Sequence, residues 1–386
     1  MDIKFRLNGI AQRVVVGVAI ACLVTLSAGS GFVSAATAKK PTNAQVIAKA
    51  KAVLAPFENK VTAFPVSANL TSVPKGDTIA VMDCGTSVCG LLFSLVEAAA
   101  TAAGISVTHY LSGPTTQETV TAWTAMLASL PSAVITLPAA PISIEPYLLT
   151  LKADKIPVVT SGIPWTAAQA TKYGIGAQQV GTRWATITGD LLAAYAVQTH
   201  GLKANILFEN VPDISFGPAM TADFQREMKV LCKTCKVTTI DIPITTMGTT
   251  DTTQEVAALQ AHRQINIVAS VSSETFYGLP TALSAAGITK VKLVGNAPAP
   301  QNLADIQAGT EAGGMGFDAP VSAWTDVDAV MRLLNGQPVS KDEADGMGDA
   351  EWLNMGTLAP ASVHQYTTGW TGYPTFAAMF MKLWGV

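Results

Sequence analysis

Histidine is scarce in this chain. Its four residues, His109, His200, His262 and His364, read as surface or helix-cap positions. With no Gly-x-Ser-x-Gly elbow and no His-Glu-x-x-His helix, hydrolysis has no nucleophile, base and orienter to assemble. No Gly-x-Gly-x-x-Gly follows the first strand either, which argues against a dinucleotide enzyme. Charge is also low, at 13% of residues, and acidic side chains outnumber basic ones by 27 to 24. Without a basic surplus the chain has no electrostatic footprint for nucleic acid. No basic helix-turn-helix segment precedes the first strand, so a transcription regulator is excluded. Past residue 35 no apolar run reaches the ~20 residues a membrane span needs, and the 49% hydrophobic fraction belongs to buried cores.

What is present begins with a leader. Lys4, Arg6 and Arg13 precede an apolar stretch, Val14 to Ala28, followed by Val33-Ser34-Ala35. This order predicts a signal peptide over residues 1 to 35, cleaved after Ala35. Cys22 follows Ala19-Ile20-Ala21, an imperfect lipoprotein pattern, so a lipid anchor stays open beside plain export to the periplasm or the cell surface. With the leader go three of 24 basic and one of 27 acidic side chains, leaving 21 and 26 and a net charge of −5. The remaining length of about 350 residues exceeds what one core supports and predicts two domains.

The four later cysteines fall in two close pairs, Cys84 with Cys89 and Cys232 with Cys235. An exported compartment permits two local disulfides. Cys232-Lys-Thr-Cys235 has the spacing of a redox motif, but it follows a helix instead of opening one. The dipole there disfavours a thiolate, so a structural bridge is expected, with a four-cysteine zinc site as the remaining reading.

Residues 36 to 75 read as an N-terminal extension, with a helix at Gln45 to Ala55 and a strap or tether between Pro65 and Pro74. From Asp77 strands and helices alternate: strand Thr78–Asp83, helix Leu91–Ala103, strand Ser106–Leu111, helix Gln117–Leu130, strand Ala133–Leu137, helix Ile144–Ala153, strand Ile156–Thr160. A second series follows a helix at Gln178–Thr199. It runs through strands Asn205–Phe208, Val237–Ile242, Ile265–Val271 and Val291–Gly295, with helices Pro218–Leu231, Thr252–His262 and Glu274–Ala286 between them. Such alternation implies parallel strands with helical crossovers. The fold class expected is α/β: two doubly wound parallel-sheet lobes joined by a hinge of several strands. The crossings are placed at Ser161–Gly176, at Gly313–Pro320 and beyond Pro338. The N-terminal lobe would comprise residues 76–161 plus 319–342, and the C-terminal lobe 162–318 plus 343–386.

At this point the chain resembles the type I periplasmic solute-binding proteins of sugar importers, whose relatives include the sensor core of lactose-repressor-like regulators. The resemblance spans residues 76 to 340. It is carried by Asp77-Thr-Ile-Ala-Val-Met, Lys155-Ile-Pro-Val-Val, Ala285-Ala-Gly-Ile with Val291-Lys-Leu-Val-Gly, and a helix at Asn302–Gly309 before the Gly-rich strand Gly313–Phe317. The cysteine pairs and the ending Phe380-Met-Lys-Leu-Trp384 are similar to an exported actinobacterial branch.

The resemblance implies capture of a small solute between lobes and delivery to a membrane permease with its ATPase, by a monomer with no cofactor, no metal and no catalytic residue. A ligand-sensing receptor subunit, and more remotely an exported enzyme on the same fold, stay open as alternatives. Sugar binders of this type usually carry an aromatic after the first strand, an Asp or Asn after the third, an Arg early in the second lobe and an Asp after Val-Gly-Phe. Those places read Gly85-Thr86-Ser87, Ala139-Ala140, Pro218-Ala219 and Asn296 here. A buried site without these partners leaves sugar hydroxyls unpaired, at about 1–3 kcal/mol each, which points to a less polar ligand.

The candidate ligand contacts lie just past strand ends: Asp83, Thr86 and Ser87; Ser161 and Trp165; Asn210, Asp213 and Phe216; Ser272, Ser273 and Glu274; Asn296; Asp318. Small polar residues at such places also cap helices, Ser272 and Ser273 above all. Trp165 and Phe216 suit flat apolar contact. Trp352, Trp370, Tyr373 and Trp384 are expected to pack across the back of a lobe or to lid the cleft.

Overall fold

Thr42 opens the first helix with a reciprocal cap. Its hydroxyl accepts from the Gln45 backbone N–H at 3.3 Å, while the Gln45 side chain accepts from the Thr42 backbone N–H at 2.8 Å. The helix that follows, α1 (Asn43–Leu54), buries Val46, Ala50 and Leu54 at helical spacing. This computed structural model describes residues 40–59, 64–113, 115–341, 343, 350–353 and 367–386. The expected leader, with Cys22 and Ala35, lies outside the described residues.

The first lobe grows from β1 (Thr78–Asp83), whose residues after Thr78 are all buried, as a central parallel strand requires. The chain continues through α2 (Ser87–Ala103), β2 (Ser106–Leu111), α3 (Thr116–Ala128), β3 (Ala133–Thr136), α4 (Pro141–Ala153), β4 (Val158–Ser161), α5 (Ala167–Tyr173) and β5 (Ile175–Gln179). The strands pair in the order β2-β1-β3-β4-β5, all parallel. β2 is mostly exposed, as fits an edge strand.

The second lobe runs from α6 (Thr182–His200) through β6 (Asn205–Asn210), α7 (Gly217–Leu231), β7 (Lys236–Asp241), α8 (Thr252–Ala261), β8 (Ile267–Ser270), α9 (Leu279–Ala285), β9 (Lys292–Asn296), α10 (Pro300–Ala308) and β10 (Gly313–Phe317). The chain then returns to the first lobe with α11 (Ala319–Leu334), which packs on α2 and on β3, β4 and β5. The last strand, β11 (Ala350–Leu353), adds antiparallel to β10. The sheet order is β11-β10-β9-β8-β6-β7, parallel apart from that edge. α12 (Phe376–Trp384) ends the described chain.

Four sequence expectations are corrected. The stretch 161–176, expected as a lobe crossing, holds α5 and the start of β5, so the first sheet runs past residue 162. β5 escapes the hydrophobic pattern because it reads Ile-Gly-Ala-Gln-Gln; Gln179 is buried by donating to the Glu343 carbonyl at 3.0 Å. The next helix accordingly begins at Thr182, not Gln178. The helix expected over Glu274–Ala286 is a 3-10 turn at Ser273–Phe276 and a separate α9, parted at Gly278, whose φ of 76° is left-handed, and at Pro280. Finally, α12 packs against α11 and α2 of the first lobe, not on the second. Trp384 stacks on Trp324 at 5.2 Å, and Trp370 and Tyr373 are buried; none of them lids the cleft. The side chain of Trp352 lies outside the described residues.

The N-terminal extension touches both lobes. α1 packs on α6 and α7, and Asn43 Oδ1 accepts from the Leu202 N–H at 2.8 Å. From Phe64 on, the extension lies on the first lobe. Phe64 meets Tyr373 and Phe380 edge-on at 5.3 and 5.0 Å, and Leu70 N–H donates to the Leu383 carbonyl at 2.9 Å. Beneath it, buried Arg332 donates to Asp328 Oδ2 and to the Ala68 carbonyl, each at 2.6 Å, and Trp384 Nε1 donates to Asp328 Oδ1 at 2.7 Å. The charge pair is thereby hydrogen-bonded on several sides, which a buried ion pair requires.

Candidate functional site

In doubly wound sheets the strand carboxyl ends leave a crevice for ligands, and here the two sheets present those ends to one cleft of about 680 Å³, open mouth included. The first lobe supplies the loop after β1 and the start of α2. Thr86 caps that helix by accepting from the Cys89 N–H at 3.3 Å, and the Cys84–Cys89 disulfide pins the same loop. Val88 and Leu92, in the first and second turns of α2, line the cleft, with Pro138 and Ser161 beside them. Gly162 completes this wall. Its φ is 73°, and a Cβ there would lie 2.5 Å from Pro138 Cγ, so a side chain is excluded.

The second lobe answers with Asp213, Ile214 and Phe216 after β6, Ile244 after β7, Ser272 and Glu274 after β8, Asn296 and Ala297 at the end of β9, and Phe317 at the end of β10. Most of this surface is apolar. Among the described residues, hydrogen bonds join the two walls of the cleft directly. Glu274 Oε1 accepts from the Ser87 hydroxyl and, at 3.2 Å, from the Val88 N–H; Ser215 Oγ donates to the Gly162 carbonyl at 2.5 Å. Burial raises the Glu274 pKa, and the two donors oppose that shift.

Of the thirteen expected contacts, Thr86, Ser161, Asp213, Phe216, Ser272, Glu274 and Asn296 line the cleft. Asn296 does so with its amide already engaged: Oδ1 accepts from Trp184 Nε1 at 3.2 Å and Nδ2 donates to the Val271 carbonyl at 3.1 Å. Ser87 stands at the rim, on Glu274. The other five are placed away from the lining. Asp83 pairs with His109 at 2.9 Å, and His109 stacks on Phe93. Trp165 is buried in a first-lobe cluster against Tyr173 of α5. Asn210 donates to Asp241 at 2.7 Å and accepts from Thr221 at 2.8 Å. Ser273 is fully buried beneath Gly295. Asp318 caps α11 and accepts from Thr371 and Gly372 at 3.0 and 2.8 Å, which ties down the C-terminal segment; burial lifts its pKa to about 7.

Sequence reasoning missed the apolar lining: Val88, Leu92, Val180, Ile214, Ile244 and Phe317. An apolar residue beside a strand end carries the same signal whether it faces a core or a cleft. The second cysteine pair closes as Cys232–Cys235 behind α7, remote from this site. Asp83, Cys84 and Cys89 come close enough together to suggest a metal, but both sulfurs are spent in the disulfide, which removes the thiolate donors such a site needs.

Comparison with known proteins agrees with this architecture. A search of curated protein sequences found no significant match. Many solved structures share the fold. An ABC transporter solute-binding protein from Agrobacterium vitis with bound allitol aligns at 17% identity and a TM-score of 0.64, over 76% of this chain and 98% of that one. The 5-methylthioribose transporter solute-binding protein from Thermotoga lettingae, in complex with 5-methylthioribose, aligns at 15% identity and 0.67, over 81% and 99%. A carbohydrate transporter from Acidothermus cellulolyticus in complex with myo-inositol gives 17% and 0.64, over 76% and 99%. The family model for the periplasmic binding protein domain matches residues 91–338, from α2 through α11, and the chain belongs to that family.

Proposed function

We propose that this chain is the exported solute-binding component of an ABC-type importer. A small organic solute enters the cleft, bridges the lobes, and is handed to a membrane permease and its ATPase by the closed form. The work is binding and hinge closure, with no covalent step. The observation that carries the reading is the cleft itself: two lobes of a binding-protein family, walled by side chains from both sheets and already in contact through Glu274 and Ser215. The leader-like segment at residues 1 to 35 supports work outside the cytoplasm, and no described helix is long and apolar enough to cross a membrane. A monomer suffices, since both walls come from one chain.

The structural neighbours hold sugars and polyols. Most of this cleft's lining is apolar, and Asn296 is committed to Trp184 and Val271. A less polar solute is therefore the better match.

Uptake tests the reading. Deleting the gene should abolish accumulation of one class of labelled solute, and the chain supplied with its leader should restore it. Unchanged uptake with an altered signalling response would favour a sensing subunit, and chemical turnover of a bound solute would favour an enzyme.

A further inference from the structure

The cleft has a charge bias. Its lining holds two carboxylates, Asp213 and Glu274, and among the described lining residues no Lys, Arg or His. Asp213 is exposed at the mouth, where its Oδ2 accepts from the Ile244 N–H at 3.2 Å. Glu274 is different, being only 6% exposed. Both donors that reach it, the Ser87 hydroxyl and the Val88 N–H, go to Oε1. No hydrogen bond reaches Oε2 from the described residues. Oε2 thus keeps its accepting capacity, on a side chain largely withdrawn from water, for a donor that enters the cleft. Val88 and Leu92 from the first lobe and Phe216 and Phe317 from the second add apolar side chains that offer a ligand burial without hydrogen bonds.

We propose that the cleft selects a solute without negative charge, whose apolar body lies against Leu92, Phe216 and Phe317 and whose hydroxyl or amine end donates to Glu274 Oε2. The inference rests on the binding reading above and narrows it to a ligand class. An anion is disfavoured twice, by repulsion from two carboxylates and by the absence of a cation to receive it. A polyol is less well matched, because much of its body would lie against the apolar walls. An amine gains a charge-assisted bond to Glu274 and favourable contact with the aromatic faces, while an alcohol gains a neutral bond.

A matched series on one apolar skeleton tests this by calorimetric titration of the full chain: 2-phenylethylamine, 2-phenylethanol and phenylacetate, with myo-inositol as the polyol arm. Binding of the amine or the alcohol at least about tenfold tighter than phenylacetate is expected, and the tighter of the two identifies the donor. In Glu274→Gln the amine should weaken about tenfold or more, the alcohol less, and phenylacetate not at all. Equal affinity for phenylacetate, no binding by either donor-bearing probe, or an equal loss of all probes in Glu274→Gln would overturn the proposal. Binding of myo-inositol alone would overturn it too, yet leave the importer reading intact. Should the variant not fold, the charge series on the parent chain decides.

Discussion

Asn296 illustrates how a residue at a binding-site position acquires another duty. The sequence placed it correctly at the end of β9, but not the partners that hold its amide, Trp184 from α6 and the Val271 carbonyl, 112 and 25 positions away. Position along the chain was legible; the hydrogen-bond partners, set by tertiary packing, were not. Asn296→Ala leaves both groups buried and unpaired, and the expected loss is about 2–3 kcal/mol in a urea unfolding titration. Glu255 makes a second case. It faces the Glu209 carboxylate inside the second lobe, and burial together with that neighbouring charge holds its pKa far above 4.5. From about pH 4.5 upward the folded chain keeps this proton while the unfolded chain releases it, so stability falls as pH rises through that window and stays low at pH 8. Glu209, Glu343 and Asp318 shift in the same direction through burial. The urea midpoint should therefore be higher at pH 5 than at pH 8. Glu255→Gln, which keeps a donor without the titration, should flatten that slope and stabilise the chain at pH 8 by at least about 1 kcal/mol.

Elements were legible where apolar and β-branched residues marked them, mostly exposed β2 included. β1, β3, β4, β6 and β8 are short and nearly all buried, each around an apolar segment, and the sequence pattern located each to within a few residues. β5 was invisible because its stability comes from pairing with β4 and from one buried glutamine rather than from apolar side chains. The split between the 3-10 turn and α9 was legible in principle, since Gly278 and Pro280 stand together, but the apolar run across them masked it. The Cys232–Cys235 bridge follows the last turn of α7 and closes a loop with a separation of three residues. Replacing both cysteines with serine should cost about 2 kcal/mol by loop entropy, leave titrations of the cleft unchanged, and reveal no thiol exchange activity lost, because no helix N-terminus lowers a thiol pKa there. At α12, Trp384→Phe keeps an aromatic on Trp324 but removes the donor to Asp328, which also holds Arg332. A loss of about 1–2 kcal/mol in urea is expected, with no change in the Cys84–Cys89 loop.

At the scale of the molecule, the two-lobed α/β plan was readable because alternation over many elements averages out local error, whereas the lobe boundaries depended on single weak strands. The N-terminal extension binds α1 to the second lobe and residues from Phe64 onward to the first. It thus adds a lobe-to-lobe connection outside the hinge. Removing residues 1–59 should widen the range of lobe separations, read as a larger radius of gyration by small-angle scattering before any solute is added. An unchanged radius would show that the hinge strands alone set the opening.

That extension also interlaces the order of synthesis with the order of assembly. The first helix waits for α6 and α7, which follow it by well over a hundred residues, and the first lobe is incomplete until α11 and α12 return to it. Neither lobe is a continuous piece of chain, so neither can finish folding as an autonomous domain, and long loops must close before the contacts that repay them exist. Folding should be slow and late, and calorimetry should record a single cooperative melting transition shared by both lobes. Under that coupling, a solute that touches only one wall of the cleft still raises the melting temperature of the whole chain.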